Sequence, residues 1–494
     1  MSQRDLKEAF VSNLNGTSLQ EVALGSFLTP LCLLNRGLIL ILYHQARGTA
    51  LLPLPLVSHL ILDFFVLVLP LVLSCTVLNA TLPQVIVSLT FVSACVLCHI
   101  YRHPSARHPQ STVGTFLQSH VQFNQVPFVT NFRVFVNVKT AISILAVDFM
   151  VFPRRYAKSE TYGTGVMDFG VGAYVFANAL VCPEARRKNI SGSKLHHITK
   201  QLVSVWPLVV LGMGRLVSVK MTGYHEHVTE YGAHWNFFFT LAIVRVVATV
   251  LLAILPASQS WVIALLISGF YQFTLETSGL KAFIIHNNDR EKDFLHANKE
   301  GLFSAVGYIA IYMAGVQVGL YVMQPRSHVR QWLKALCNLF LGSFVLYAAL
   351  SPCQTFVDPV SRRMANLSFC LWSVAQSLFF MSCLGVADMV LLFSKRTSGC
   401  RFVPSSWNWC EKQSDSVSDK KTGQMERLCL VQAVSRNQLL FFLLANVMTG
   451  LTNSLVNTLG CSSLFSVCVL LAYMFTNCFV IHVLHLCGIT VKFW

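Results

Sequence analysis

The run Val22-Ala-Leu-Gly-Ser-Phe-Leu-Thr-Pro-Leu-Cys-Leu-Leu-Asn-Arg-Gly-Leu-Ile-Leu-Ile-Leu-Tyr43 carries one charge, Arg36, over the length of about 20 apolar residues that a helix needs to cross a bilayer. The polar stretch before it, Met1 to Gln20 with Asp5, Lys7 and Glu8, lacks the basic start and apolar core of a cleavable signal, so the run reads as a true span. Comparable runs follow near 56–76, 83–101, 132–151, 166–182, 201–221, 234–255, 258–276, 301–323, 332–350, 367–393, 438–459 and 463–489. The expectation is an all-α, polytopic transmembrane bundle of about 13 spans, one integral-membrane domain over 1–494. Composition agrees: 54% of the residues are hydrophobic and 12% charged, against about 25% charged in an ordinary globular chain.

The formal net charge of +16 needs a membrane explanation before a nucleic-acid one, because basic residues collect in cytosolic loops and no P-loop, zinc-finger or RNA-binding signature is present. With loops numbered by the span each follows, the odd loops and the C-terminal tail hold the larger share of Lys and Arg. Among them are Arg102, Arg186 and Lys194. That balance places the N-terminus in the lumen and the C-terminus in the cytosol. The sequons at Asn15, Asn79 and Asn366 then face the lumen and the one at Asn189 does not. Residues 394–437, rich in Ser, Lys and Asp, read as a solvated cytosolic loop, and Cys75, Cys95, Cys98 and Cys370 read as small buried hydrophobes.

Polar residues gather in three even loops: loop four from Asp148 to Asp168, loop six from Gly223 to Asn236, and loop eight from His286 to Glu300. Loop four is basic. Loop six has acids and histidines but no Lys or Arg between Met221 and Asn236, so the two together would form a mixed-charge pocket. Asp148 stands about one turn from the end of its span, where Pro153 stops the helix. It reads either as a general base whose pKa is tuned by Lys158 or Arg154, or as an anchor paired with Arg154 or Arg155. Lys158 reads either as a group for an anionic substrate or acyl carbonyl, or as an interfacial anchor. Glu230 and His234, four apart, share a face if their helix begins early, with Arg245 further along the same stripe. Asp63 and His59 have the same spacing. Lys139 lies nine residues before Asp148, on the opposite side of a continuous helix, so the two are not expected to share a site. His225, Glu226 and His227 lack zinc-ligand spacing, so no metal is expected. No Gly-x-Ser-x-Gly elbow or Cys with a convincing His base supports a covalent acyl-enzyme. The glycines Gly163, Gly165, Gly170 and Gly172 fit close helix contact better than ligand approach.

From the residues alone, buried Asp63, Asp148, Lys139 and Arg245 suit an ion-coupled transporter or a lipid scramblase as well as an enzyme. The motifs add a resemblance. Residues 146–172, from Ala146 through the Phe-Pro-Arg-Arg-Tyr-Ala-Lys segment to Gly172, together with Glu230-Tyr-Gly-Ala-His-Trp-Asn-Phe-Phe-Phe239, resemble the glycosylphosphatidylinositol (GPI) inositol acyltransferases, the class W proteins of GPI-anchor biosynthesis. Lys7-Glu-Ala-Phe-Val-Ser-Asn-Leu-Asn-Gly16 and Asn298-Lys-Glu-Gly-Leu-Phe-Ser304 are similar too.

The resemblance implies a multi-pass endoplasmic-reticulum enzyme that moves a palmitoyl-type chain from acyl-CoA to the inositol 2-hydroxyl of glucosaminyl-phosphatidylinositol. No cofactor is tightly bound on this reading; acyl-CoA is a co-substrate. Transfer is expected to be direct, in a ternary complex, with Asp148 as base or orienting group and Lys158 stabilising charge on the carbonyl oxygen. Arg154 and Arg155 would hold anionic groups, with Asp168 at the end of the same loop a further substrate-binding candidate. Glu230, His234 and Asn236 stand second, His234 as an alternative base. Arg133, Lys139 and the basic fifth loop would receive CoA phosphates if acyl-CoA arrives from the cytosol. A non-catalytic scaffold is the remaining alternative.

Overall fold

The computed structural model describes residues 10, 12, 14–47, 56–103, 113–121, 125–186, 194–222, 228–287, 289–400, 403–408 and 428–491. Among them regular structure is helical, apart from isolated bridges between Thr17 and Thr164 and between His120 and His328. The main helices are α1 (Leu19–Arg47), α2 (Leu56–Asp63), α3 (Leu69–Ser74), α4 (Leu82–Arg102), α5 (Pro127–Ala146), α6 (Val166–Ala179) and α7 (Trp206–Thr222). They continue with α8 (Phe237–Ile254), α9 (Ser260–Thr277), α10 (Lys299–Val322), α11 (Val329–Phe356), α12 (Leu367–Ser398), α13 (Gln438–Leu455) and α14 (Ser463–Leu486).

Each apolar run of the sequence contains helix, and among the described residues 10 helices are long and apolar enough to cross a membrane. The other three runs differ for local reasons. The run at 56–76 divides into α2, a π turn at Phe64–Val68 and α3, where Pro70 cannot donate to the helical ladder. The α6 helix has 14 residues, short of a full crossing, and α9 carries Gln272 and Glu276 in its last turns.

The long α12 sits at the centre and packs against α1, α5, α6, α10 and α11. Helix α10 reaches α6 at backbone distance because Gly315 and Gly319 face it. A Cβ at Gly319 would lie 2.7 Å from the carbonyl oxygen of Leu180. Outside this core, α4 and α7 turn apolar side chains such as Val87, Phe91, Val210 and Met221 to their surroundings. Cys95 and Cys98 are exposed there, not buried as the sequence suggested, because an apolar run in a bilayer need not face protein.

Three further expectations change. Asp63 receives two bonds from Arg36, at 2.8 and 3.2 Å, and one from the Leu430 amide, so it ties α1 to the chain before α13. The flanks of the 394–437 insertion are packed rather than solvated. Helix α12 continues to Ser398, Trp407 is buried 4.6 Å from the Trp332 ring, and Leu430–Arg436 is helical, while residues 409–427 lie outside the described residues. Asn366 is fully buried as the cap of α12, accepting from the Phe369 amide, which leaves that sequon no accessible acceptor. The sequon at Asn189 lies outside the described residues.

Candidate functional site

Loop four folds over one end of the bundle, wedged between the N-terminal segment and the turn that joins α11 to α12. The Thr17 amide donates to Thr164 O at 2.6 Å, the Glu160 amide to Leu14 O at 2.9 Å, and the Gly163 amide to Val360 O at 2.8 Å. Gly163 sits at φ 135, and a Cβ there would lie 2.1 Å from Asn15 O, so this crossing requires glycine. Below the loop opens a cavity of about 290 Å³, walled by α1, α5, α6, α7, α13 and the 229–237 segment.

The cavity is polar at the loop-four end and apolar below. Asp148, Lys158, Glu160, Glu230, Arg215 and Arg362 line the upper part. Val136, Val171, Tyr174, Phe380 and Phe442 line the lower part. Asn453 and Phe442 are eleven positions apart on α13, about 16 Å along the axis. Asn453 touches Asp148, so the apolar shaft runs roughly half the thickness of a ~30 Å hydrocarbon layer below it.

Loop four and the chain after loop six do meet, and the mixed-charge pocket forms. The Lys158 ammonium pairs with Glu230, and it stands 5.8 Å from the Tyr231 ring centroid. Burial pushes the Lys158 ammonium below the usual lysine range. Glu230 opposes that fall, and the guanidinium groups of Arg362 and Arg215 add to it. Asp148 is half-buried beyond the end of α5, because that helix stops at Ala146, well before Pro153. Asn453 donates to its Oδ2 at 2.7 Å.

The expected opposition of Lys139 and Asp148 fails, since both line the cavity. The 3.6-residue period does not carry past Ala146, and the cavity is wide enough to take in two faces of α5. Lys139 donates to Gly25 O and lies 5.3 Å from the Phe380 ring centroid.

Other candidates have structural duties. Arg154 donates to the carbonyls of Val147, Phe149 and Phe152 at 2.9, 3.1 and 3.0 Å and so closes the end of α5. Burial pushes its guanidinium down to about 10, with Asp148 acting the other way. Arg155 grips Glu21 through Nε and Nη2, which Tyr156 also contacts, so neither arginine forms the anchoring pair with Asp148 at hydrogen-bond distance. Asp168 is fully buried behind the cavity wall, accepting from the Ser159 amide at 3.0 Å and from Arg362 Nε at 2.8 Å. Asn236 borders the cavity, but its Oδ1 caps α8 and its Nδ2 donates to Gly212 O at 2.8 Å.

Arg133 does not line the cavity. His234 is exposed, outside the lining, with its Nδ1 3.0 Å from Lys220 Nζ. It shares no helical face with Glu230, which belongs to the separate short helix Val228–Tyr231, and α8 starts only at Phe237. Loop eight does not line the cavity but braces its 229–237 wall, the Ala233 amide donating to Ala297 O at 2.9 Å and the His234 amide to Asn298 Oδ1 at 2.8 Å, while Glu300 is held by Arg290 and Arg363 at 2.7 and 2.9 Å. His225, Glu226 and His227 lie outside the described residues, among which no group of three or more His, Cys, Asp or Glu suits a metal ion. Gly172 fits the close-contact reading, since a Cβ there would lie 2.4 Å from Ser373 Oγ. Gly170 instead lines the shaft.

Sequence reasoning passed over Arg362, which caps the polar end from the α11–α12 turn, and Arg215 on α7. A charge inside an apolar helix was the available signal for Arg215.

A family profile named GWT1 matches residues 3–484. The chain belongs to the GWT1 family. Relatives named glucosaminyl-phosphatidylinositol-acyltransferase PIGW are 44% identical in Bos taurus, 45% in Mus musculus and 43% in Homo sapiens, each alignment covering 100% of both chains. A relative from Gibberella zeae, named GPI-anchored wall transfer protein 1, is 32% identical over 96% of this chain and 95% of its own. The likeness thus takes in loop four, the 229–237 segment and the α11–α12 turn, the three parts that build the polar end of the cavity.

Proposed function

We propose that this chain is a glucosaminyl-phosphatidylinositol acyltransferase of the endoplasmic-reticulum membrane, taking its acyl group from acyl-CoA. One observation carries the chemistry. A carboxylate and an ammonium open onto one polar chamber, directly above an apolar shaft the depth of one lipid leaflet. The acyl chain occupies the shaft, which sets the thioester carbonyl at the level of Asp148 and Lys158.

The Asp148 carboxylate, oriented by Asn453, takes the proton of the inositol 2-hydroxyl as its oxygen attacks the thioester carbon. Negative charge moves to the carbonyl oxygen, where the Lys158 ammonium stabilises it. The C–S bond then breaks, CoA leaves as the thiolate, and the proton held by Asp148 passes to that sulfur. Both substrates are bound at once and no covalent acyl-enzyme forms.

Purified chain supplied with palmitoyl-CoA and glucosaminyl-phosphatidylinositol is expected to release free CoA and form the inositol-acylated lipid in equal amounts. CoA release without acylated lipid, or neither product, would defeat the proposal.

A further inference from the structure

Among the described residues four cationic side chains line the cavity, and their partners differ. Lys158 is paired with Glu230, and Lys139 donates to Gly25 O at the level of the shaft. Arg362 spends Nε on Asp168, yet its Nη1, on a residue 2% exposed, has no hydrogen-bond partner among the described residues. Arg215 sits in the middle of α7, a helix otherwise apolar enough to cross a membrane, and has no acidic partner among the described residues. Its orientation is fixed by the helix. Arg215 and Val219 line the cavity, whereas Val209, Val210, Met213, Val217 and Met221 form the opposite, outward face. A guanidinium within a spanning helix is costly, and no carboxylate among the described residues pairs with this one.

We propose that Arg215 and the Nη1 edge of Arg362 form an organophosphate subsite beside Lys158. Guanidinium groups suit this ligand class because they present paired donors to phosphate oxygens and stay charged when water is excluded. The subsite rests on the reading of this cavity as the acyl-transfer chamber, and it assigns the part of that chamber that holds phosphate. Two phosphates enter such a chamber, the phosphodiester of the inositol lipid and the phosphates of CoA. The lipid phosphodiester is the expected occupant. Helix α7 separates the cavity from the surroundings of the bundle, so a lipid arriving sideways passes Arg215.

The test uses the full chain in detergent and reads thermal protection, which does not depend on turnover, by short-chain phosphatidylinositol in one arm and by CoA in the other. Wild-type protein is expected to be protected by phosphatidylinositol. Arg215→Gln should weaken that protection roughly 10- to 100-fold, the range of a lost charged hydrogen bond, with Arg215→Lys intermediate. Lys334→Gln, which removes a charge from an exposed position of α11 outside the cavity, should leave it unchanged. Loss of CoA protection instead would assign the subsite to the CoA phosphates. Wild-type affinity of Arg215→Gln for both probes, or no protection of wild-type protein by either, would overturn the subsite. Acyl transfer assayed separately on the same wild-type protein reports on the chemistry alone, so failure there is distinguishable from failure of the subsite.

Discussion

Asn453 Nδ2 donates to Asp148 Oδ2 at 2.7 Å, joining α13 to the turn after α5 across 305 positions of sequence. The same Nδ2 donates to Thr449 O at 3.1 Å, so the amide is held from its own helix while it orients the carboxylate. Asp148→Asn keeps the size of the side chain but removes the base. The expected outcome is a fall in kcat of about 10²- to 10⁴-fold with an unchanged elution profile and melting temperature. Near-normal turnover would take the base away from Asp148.

The Lys158–Glu230 pair predicts a pH dependence. Lys158 must be protonated to stabilise the oxyanion, and burial lowers the pH at which it loses that proton. Activity should therefore fall on the alkaline side before the ordinary lysine range is reached. Glu230 supports the ammonium, so Glu230→Gln should move this limb to lower pH. Lys158→Arg should move it to higher pH in whatever activity remains, since a guanidinium keeps its proton. An alkaline limb at the same pH in all three proteins would remove Lys158 from the chemistry.

The helical runs were legible because apolar length is a one-dimensional signal, and the meeting of loops four and six was legible because their charges complement each other. Partners at long range were not. Asp168 reads as a binding residue beside Lys158, yet its carboxylate turns inward to Arg362, a residue 194 positions away. Arg154 and Arg155 look like anion receivers until the carbonyls at the end of α5 and the Glu21 carboxylate are in place. Periodicity misplaced Lys139 against Asp148 because α5 ends at Ala146, and nothing local in Ala-Val-Asp-Phe marks that end. His234 shares no face with Glu230 for a related reason: the start of α8 is set by the Asn236 cap, so that helix begins at Phe237, seven residues after Glu230.

The Asp168–Arg362 pair supports the polar chamber from behind. Both side chains are buried, at 0% and 2% exposure, and Asp168 also receives the Ser159 amide, one residue from Lys158. Asp168→Ala leaves the Arg362 charge buried without its partner, which costs about 3 to 5 kcal/mol. The expected result is a marked drop in melting temperature together with loss of activity. Asp168→Asn, which retains an acceptor for the Ser159 amide, should recover part of the stability. A melting temperature at the wild-type value for Asp168→Ala would show that the pair does not hold loop four.

The depth of the shaft predicts which acyl chains are used, and two substitutions should move that preference in opposite directions. Phe442 lies about 16 Å below the level of Asp148, with Tyr174 5.7 Å away between ring centroids. Together these rings lie where the far end of a leaflet-length chain would reach. Phe442→Ala deepens the space, so the ratio of kcat/KM for acyl donors longer than palmitoyl to that for palmitoyl should rise, even though removing a buried ring costs about 3 to 5 kcal/mol of stability. Gly170 lies higher on the wall, and a Cβ there would be 3.7 Å from its nearest neighbour, Thr140 Oγ1, so a side chain enters the shaft without colliding with backbone. Gly170→Val should therefore reduce kcat/KM for palmitoyl-CoA more than for octanoyl-CoA. A stability effect alone would depress all donors equally, whereas a change in ratio reports on the shape of the shaft. Unchanged ratios in both variants would mean that the chain lies elsewhere.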